Sequence, residues 1–329
     1  MRVAVYDRYG PPEVLQIVDL PKPTAAANEI LIRVHAATVS PADWRYRKAD
    51  PFSCRLFSGL FRPTKIRVLG MEFAGTVEAL GASATRFKIG DAVSGSTGFL
   101  RMGTHAEYIR LREDGVVATK PPNLSFGEAA GTLYGGVSAL HFLRRAKIGA
   151  GQRVLVYGAS GSAGIFAVQL AKHFGARVTG VCSTRNLELV KSLGADHVID
   201  YTTEDFASRG EVYDMIFDTV GKSGYGRSLR SIVRGGVYVR VDGSGGFPSI
   251  LASIAAGWWL SVVGGIRIVS GIASGGREAQ AFLRELFESG KIRTVIDRRY
   301  PLDQIAEAHR YVETGHKRGN VVISIGEAE

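Results

Sequence analysis

Three glycines at a fixed spacing follow a short apolar run in the middle of the chain. Gly158, Gly161 and Gly164 come directly after RVLVY (153–157) and open a helix predicted over 162–174. Bare glycine backbone can approach a pyrophosphate closely, and the start of a helix adds positive partial charge. The segment therefore predicts a dinucleotide site, against the alternative of a turn that binds nothing. Other expected contacts in this loop are Ser160, Ser162 and Ala163.

The residues after the next predicted strand, VTGVC (178–182), indicate which dinucleotide would bind. No acid lies between Val178 and Leu187. A carboxylate there would bond the ribose hydroxyls of NAD and repel the 2′-phosphate of NADP. Arg185 would instead pair with a phosphate, and Ser183 would donate to it. NADPH is therefore favoured over NADH, with a merely solvent-exposed Arg185 as the alternative.

These motifs lie where short apolar runs alternate with helices. The pattern predicts a helix over 186–193, strands at 197–200, 215–220 and 236–241, and a last strand within 260–269. Such alternation predicts a doubly wound parallel sheet that binds ligands at the carboxyl ends of its strands. Upstream, Ser125 and Glu128 form a capping-box pattern for a helix over 126–146, which Gly135 and Gly136 interrupt.

The first 120 residues are mostly β in pattern, with apolar and polar residues alternating in ILIRVHAATVS. Lys120-Pro-Pro-Asn marks a domain boundary. The helix 276–289 and the strand-like VVISI (321–325) are expected to return to this first domain. We therefore predict an α/β protein with a β-rich domain (1–123 and 272–329) and a dinucleotide-binding domain (124–271).

Composition restricts the setting in which the protein works. The net charge is +10, but the cations are spread along the chain, so no nucleic-acid partner is expected. Two cysteines, Cys54 and Cys182, are too few for a disulfide framework, and no signal-peptide pattern opens the chain, so we expect a cytoplasmic protein. The uncharged run 247–266 fits a buried helix and strand better than a membrane span, although a subunit interface or membrane contact stays open.

Longer motifs resemble one enzyme superfamily. VYDRYGPPEVLQ, GMEFAGTVEALG, VLVYGASGSAGIFAVQLAK and SLGADHVIDY together are similar to the medium-chain dehydrogenases/reductases. The similarity is to their zinc-independent quinone oxidoreductase, or zeta-crystallin-like, group. It implies a GroES-like β-rich catalytic domain plus a doubly wound Rossmann domain, and a homodimer.

The resemblance also implies functions for single residues. Gly158, Ser160, Gly161 and Gly164 match the pyrophosphate loop of the family. The residues that match its 2′-phosphate pocket are Ser183, Arg185, Asn186 and Tyr201. Further cofactor contacts are implied for Ser138, Thr219, Val220, Gly221, Asp242, Gly243, Ser244 and Asn320.

The same comparison predicts that the protein holds no metal. Ser40 and Met71 stand where the zinc-dependent relatives place metal ligands, and the four-cysteine zinc lobe is missing. The histidines His35, His105 and His141 have no ligand partners at metal spacing.

Without zinc, an activated acceptor is the easiest substrate to reduce. A quinone or an α,β-unsaturated carbonyl accepts hydride at an electron-poor carbon, and hydrogen-bond donors stabilise the oxyanion. The substrate-side candidates are Ser40, Tyr46 and Asp43. Two alternatives stay open: an enoyl-thioester reductase of the same fold, and a non-catalytic NADPH-binding sensor or membrane-peripheral protein.

Overall fold

The computed structural model describes residues 1–221, 223–241 and 265–326. Its contacts divide the chain into two compact units, residues 1–134 with 294–329, and residues 135–293. The ends of the second unit therefore lie at 135 and 293, whereas the predicted domain ran from 124 to 271.

The bounds of the described elements follow in chain order. The strands are β1 (Arg2–Val5), β2 (Gln16–Asp19), β3 (Glu29–Val39), β4 (Glu72–Leu80), β5 (Ala92–Ser96), β6 (Tyr108–Arg112), β7 (Val117–Thr119), β8 (Arg153–Tyr157), β9 (Arg177–Cys182), β10 (His197–Asp200), β11 (Tyr213–Asp218), β12 (Ile232–Arg240), β13 (Arg267–Val269), β14 (Ile296–Pro301) and β15 (Asn320–Ser324). The helices are α1 (Pro41–Lys48), α2 (Cys54–Ser58), α3 (Phe126–Ala130), α4 (Leu133–Ala146), α5 (Ser162–His173), α6 (Leu187–Ser192), α7 (Tyr225–Arg230), α8 (Arg277–Glu288) and α9 (Ile305–Glu313).

The first unit is built on a mixed sheet. Its strands run in the order β14-β15-β3-β4-β5-β7, and β6 also pairs with β3. Along β3 the residues Ile30, Leu31, Ile32 and Val34 are buried, and Arg33 is exposed. Ile30, Ile32 and Val34 share one face because side chains alternate along a strand, and they belong to a core that includes Tyr6 and Phe73.

The second unit contains the predicted parallel sheet. Among the described residues, its strands run in the order β10-β9-β8-β11-β12-β13, and every adjacent pair is parallel. The order reverses direction between β8 and β11, where Tyr157 and Asp218 lie side by side. In open parallel sheets, ligands bind beyond the carboxyl ends of the strands at this switch point.

The predicted interruption of the helix 126–146 falls at a different place. The break lies between α3 and α4 at residues 131–132, and α4 continues through Gly135 and Gly136. A Cβ on Gly135 would lie 2.6 Å from the carbonyl oxygen of Ser162. Gly135 therefore permits close packing of α4 on α5 and does not end the helix.

The helix predicted at 276–289 forms, but not in the first unit. It is α8, and contacts assign it to the second unit. Phe282 stacks on Phe174 with a centroid distance of 6.1 Å, and Phe287 packs edge-on against Phe166 at 5.9 Å. These aromatic contacts hold α8 against α5, because the apolar side of each helix needs a partner.

Most of the uncharged run 247–266 lies outside the described residues. Its last residue, Ile266, is buried just before β13, and β13 lies within the range predicted for the last strand. Within the described part of the chain, no helix is both long and apolar enough to cross a bilayer.

Candidate functional site

Two glycines of the turn between β8 and α5, Gly158 and Gly164, leave no space for a side chain. Gly158 has φ = +80°, and a Cβ there would lie 2.4 Å from Cγ2 of Val220. A Cβ on Gly164 would lie 2.1 Å from the carbonyl oxygen of Gly158. Gly161 is the N-cap residue of α5, a helix of 12 residues, and no side chain caps this helix start. The turn is therefore a cradle of bare backbone at a helix N-terminus, which fits a pyrophosphate.

One buried amide joins this turn to the residues after β9. Asn186 is buried, and its Nδ2 donates to Oγ of Ser160 and to Oγ of Ser183, each at 3.1 Å. Its Oδ1 is buried without a hydrogen-bond partner among the described residues. Arg185 lies beside Asn186 on an exposed turn. Because buried acceptors are normally paired, the free Oδ1 fits a donor such as a ribose hydroxyl.

A carboxylate on the neighbouring strand β10 also lies at the end of β9. Asp200 ends β10 and pairs in register with Cys182, the last residue of β9. Its carboxylate accepts from the Thr184 hydroxyl, and also from the Thr202 hydroxyl at 2.7 Å. These hydrogen bonds, that of Thr184 first, lower the pKa of Asp200. Asp200 was not among the predicted site residues, because it lies outside the range 178–187 in which an acid was sought. Its signal in the sequence is the acid that ends the predicted strand 197–200.

A second overlooked carboxylate holds the loop after β11. Asp218 is fully buried, and its Oδ1 accepts from the N–H groups of Val220 at 2.9 Å and Gly221 at 2.8 Å. The Thr219 hydroxyl donates to the carbonyl oxygen of Tyr157 at 3.0 Å. Asp218 thus fixes the loop that packs against Gly158, and its signal in the sequence is an acid directly after an apolar strand.

The other predicted cofactor contacts of the second unit are placed as follows. Ser162 and Ala163 form the first turn of α5, and Ser138 is buried in α4. Tyr201 follows β10 and is 49% exposed beside a cavity of about 290 Å³. The positions that lie outside the described residues are Asp242, Gly243 and Ser244.

Asn320, the predicted contact at the start of β15, has partners within the first unit. It is 3% exposed, and its Nδ2 donates to the carbonyl oxygen of Gly131 at 3.1 Å. A Cβ on Gly131 would lie 2.8 Å from that same Nδ2. The amide therefore ties β15 to the break between α3 and α4.

Two of the predicted substrate-side residues bond each other. Asp43 is fully buried, and its Oδ2 accepts from the Ser40 hydroxyl at 2.8 Å and from the Ser40 N–H at 2.7 Å. Its Oδ1 accepts from the N–H of Gly70 at 2.7 Å. These hydrogen bonds fix the start of α1 against Gly70, which precedes Met71. The Ser40 hydroxyl proton is used in the bond to Asp43.

The third candidate, Tyr46, lies in α1 among core residues. It is 6% exposed, and burial raises the pKa of its phenol to about 12, so the hydroxyl stays protonated at neutral pH. Within the described ranges, this hydroxyl makes no hydrogen bond to another side chain. Tyr46 therefore has a hydroxyl proton free to donate, whereas that of Ser40 is hydrogen-bonded to Asp43.

The first unit also buries a glutamate that was not among the predicted site residues. Glu72 accepts from the Thr38 hydroxyl at 2.7 Å and from the N–H groups of Leu133 at 3.1 Å and Tyr134 at 2.6 Å. Burial raises its pKa to about 7, against these hydrogen bonds. Burial also lowers the pKa of Lys317 to about 8, while the charge of Glu72 opposes that change. The signal for Glu72 in the sequence was an acid at the start of an apolar strand.

Comparison with known proteins places this geometry in a family. Residues 26–122 match the family model of the alcohol dehydrogenase GroES-like domain, and residues 193–323 match the model named zinc-binding dehydrogenase. A 2-methylene-furan-3-one reductase from Solanum lycopersicum is 34% identical over 98% of this chain and 79% of its own length. The chain belongs to the medium-chain dehydrogenase/reductase superfamily.

Other members support this assignment. A chloroplastic NADPH-dependent alkenal/one oxidoreductase from Arabidopsis thaliana is 32% identical over 98% of this chain and 79% of its own length. Among solved structures, a quinone oxidoreductase from Coxiella burnetii superposes with a TM-score of 0.87 at 32% identity, covering 99% of both chains. The predicted architecture, a GroES-like domain plus a Rossmann domain, is therefore confirmed.

At the positions where the zinc-dependent relatives have metal ligands, this chain has side chains with other contacts. Ser40 donates to Asp43, and Met71 is 3% exposed in the core. His105 bonds the carbonyl oxygen of Thr38 at 2.9 Å. Within residues 1–221, 223–241 and 265–326, no three His, Cys, Asp or Glu side chains are grouped to hold a metal ion. Zinc independence stays a prediction.

Proposed function

We propose that this chain is an NADPH-dependent oxidoreductase that reduces a quinone or an α,β-unsaturated carbonyl compound. The observation that carries the proposal is the side-chain-free cradle at Gly158 and Gly164, in a chain whose relatives are named as NADPH-dependent alkenal/one and quinone oxidoreductases. When bound, NADPH supplies the hydride.

In this proposal the second unit binds the cofactor. The cradle receives the pyrophosphate, and Ser183 and Arg185 contact the 2′-phosphate. Asn186 supports Ser160 and Ser183 and offers its free Oδ1 to a ribose hydroxyl. The Thr184 and Thr202 hydroxyls donate to the carboxylate of Asp200 and fix its position after β10.

The chemistry then needs one hydride and one proton. Hydride adds to the electron-poor carbon of the acceptor, negative charge collects on oxygen, and a proton completes the reduction. We propose that Tyr46 donates a hydrogen bond or the proton, because its hydroxyl is protonated and uncommitted. In this proposal Ser40 and Asp43 position α1, since their bonds are directed at each other and at Gly70.

The direct test is NADPH consumption with quinones, enones and acyl thioesters, with NADH in parallel. We expect turnover on a quinone or an enone and a preference for NADPH. Turnover confined to acyl thioesters would favour an enoyl-thioester reductase, and binding without turnover would favour a sensor. Tyr46→Phe should lower kcat by about 10²-fold with little change in KM, whereas the control Tyr108→Phe, on a partly exposed strand residue, should not.

We also propose that the protein is a cytoplasmic homodimer, as the family resemblance and the reduced thiols Cys54 and Cys182 imply. Light scattering on a size-exclusion column measures the mass directly. A monomer at micromolar concentration would contradict the dimer.

A further inference from the structure

The first unit carries a dense group of exposed apolar side chains around α2. We call residues 51–67 the apolar–basic segment. Within ten consecutive residues, large apolar side chains face solvent at five positions: Phe52, Leu56, Phe57, Leu60 and Phe61. Phe61 is 84% exposed and Leu56 is 65% exposed. Single exposed apolar residues are ordinary, but a contiguous group usually marks an interaction surface.

The inner side of this segment is fixed to the unit beneath it. Ser58 is fully buried, and its Oγ lies 3.2 Å from the Tyr6 hydroxyl. The N–H of Lys65 donates to the carbonyl oxygen of Ser58 at 2.9 Å. Cys54 and Ile66 are part of the core. The outward apolar side chains are therefore held on an anchored platform, with the core positions of the segment already filled.

The charges of the segment all have one sign. No Asp or Glu lies between Asp50 and Glu72, and the segment contains four cations: Arg55, Arg62, Lys65 and Arg67. Arg55 stacks over Tyr9 and Phe52, with its guanidinium 4.7 Å and 5.3 Å from the two ring centroids. The other three cations are exposed and form no ion pair with any described residue.

We propose that the apolar–basic segment docks on the surface of an anionic phospholipid bilayer. Its exposed Phe and Leu side chains enter the boundary between headgroups and acyl chains, and its unpaired cations contact the lipid phosphates. Exposed apolar groups interleaved with unpaired cations are the chemistry that such a surface binds. A second copy of the same segment fits worse, because symmetric pairing would bring four cations against four cations.

The test is co-sedimentation of the full chain with lipid vesicles. We expect binding to phosphatidylcholine vesicles that contain about a third phosphatidylserine, and at least tenfold weaker binding to pure phosphatidylcholine. Arg62→Gln/Lys65→Gln/Arg67→Gln should weaken binding on the order of a hundredfold, from about fivefold per cation. Salt at about 0.5 M should act in the same direction.

A matched control separates local charge from net charge. Lys88→Gln/Lys191→Gln/Arg234→Gln also removes three positive charges, from exposed positions elsewhere, and should leave vesicle binding unchanged. If both triple variants lose binding equally, the net charge of the protein explains it and the proposal is wrong.

The apolar half of the surface has its own variant pair. Leu56→Ser/Phe61→Ser should weaken vesicle binding by at least tenfold, whereas Ile89→Ser/Ile272→Ser, at similarly exposed positions, should not. Equal melting temperatures would show that all four substitutions leave the fold intact. Absence of vesicle binding by the wild type, or a dimer that Leu56→Ser/Phe61→Ser dissociates without lipid, would overturn the proposal.

Discussion

Replacing Glu72 by Gln should make the protein more stable than the wild type at neutral and higher pH. Glu72 is 2% exposed, and burial raises its pKa from 4.5 to about 7. A glutamine has the same shape, keeps an acceptor for the N–H groups of Leu133 and Tyr134, and turns its amide N–H toward the Thr38 oxygen. The substitution therefore removes a buried charge and retains its hydrogen bonds.

The size and direction of the effect follow from proton linkage. The folded state binds the Glu72 proton more tightly than the unfolded state. The stability this contributes is complete below pH 4.5 and is lost as pH rises through about 7. At about 1.4 kcal/mol per pH unit, the loss amounts to about 3 kcal/mol. The free energy of unfolding of Glu72→Gln minus that of wild type should therefore rise by that amount across this range.

Urea denaturation at a series of pH values measures this difference. Glu285→Gln is a suitable control, because Glu285 is exposed on α8. A difference for Glu72→Gln that stays constant from about pH 4.5 to pH 8 would refute the reasoning, since it would mean that the buried carboxyl titrates normally.

Three further predictions concern cofactor binding, the glycine turn and the metal. Arg185→Ala should weaken NADPH binding about tenfold, leave NADH binding unchanged and matter less as salt rises; Lys191→Ala on the adjacent helix is the control, and equal loss for both cofactors would contradict a phosphate contact. Gly164→Ala should destabilise the fold by about 2 kcal/mol in denaturation experiments, because its Cβ would lie 2.1 Å from a backbone oxygen, whereas Gly161→Ala, with its nearest contact at 3.5 Å, should cost less than about 1 kcal/mol; similar costs would show that the turn relaxes. Elemental analysis should find less than about 0.1 zinc per chain after chelation, and a retained equivalent would refute zinc independence.

Features that depend on neighbouring residues were predictable from the sequence. The strand His197–Asp200 has the predicted bounds, and β8 does as well. The capping box at Ser125 forms, with the Glu128 carboxylate accepting from the Ser125 N–H at 2.9 Å. The glycine turn could be read because strand, turn and helix follow one another directly along the chain.

Other features depend on residues far apart in the chain. Glu72 receives hydrogen bonds from Leu133 and Tyr134, 61 and 62 positions away, so its raised pKa has no local signature. Asp200 reaches the end of β9 through strand register, and α8 joins the second unit through its aromatic contacts.

The sequence by itself determined the order of the elements and the backbone cradle for a dinucleotide, because each follows from residue type and short spacing. That Ser40 and Met71 stand at zinc-ligand positions came from the family resemblance. Only the tertiary structure decided which polar groups remain free: it committed the Ser40 proton to Asp43 and left the Tyr46 hydroxyl and Asn186 Oδ1 without side-chain partners in the described residues. Whether a polar group has a hydrogen-bond partner depends on which residues lie next to it in space, and the periodicity of the sequence does not show this.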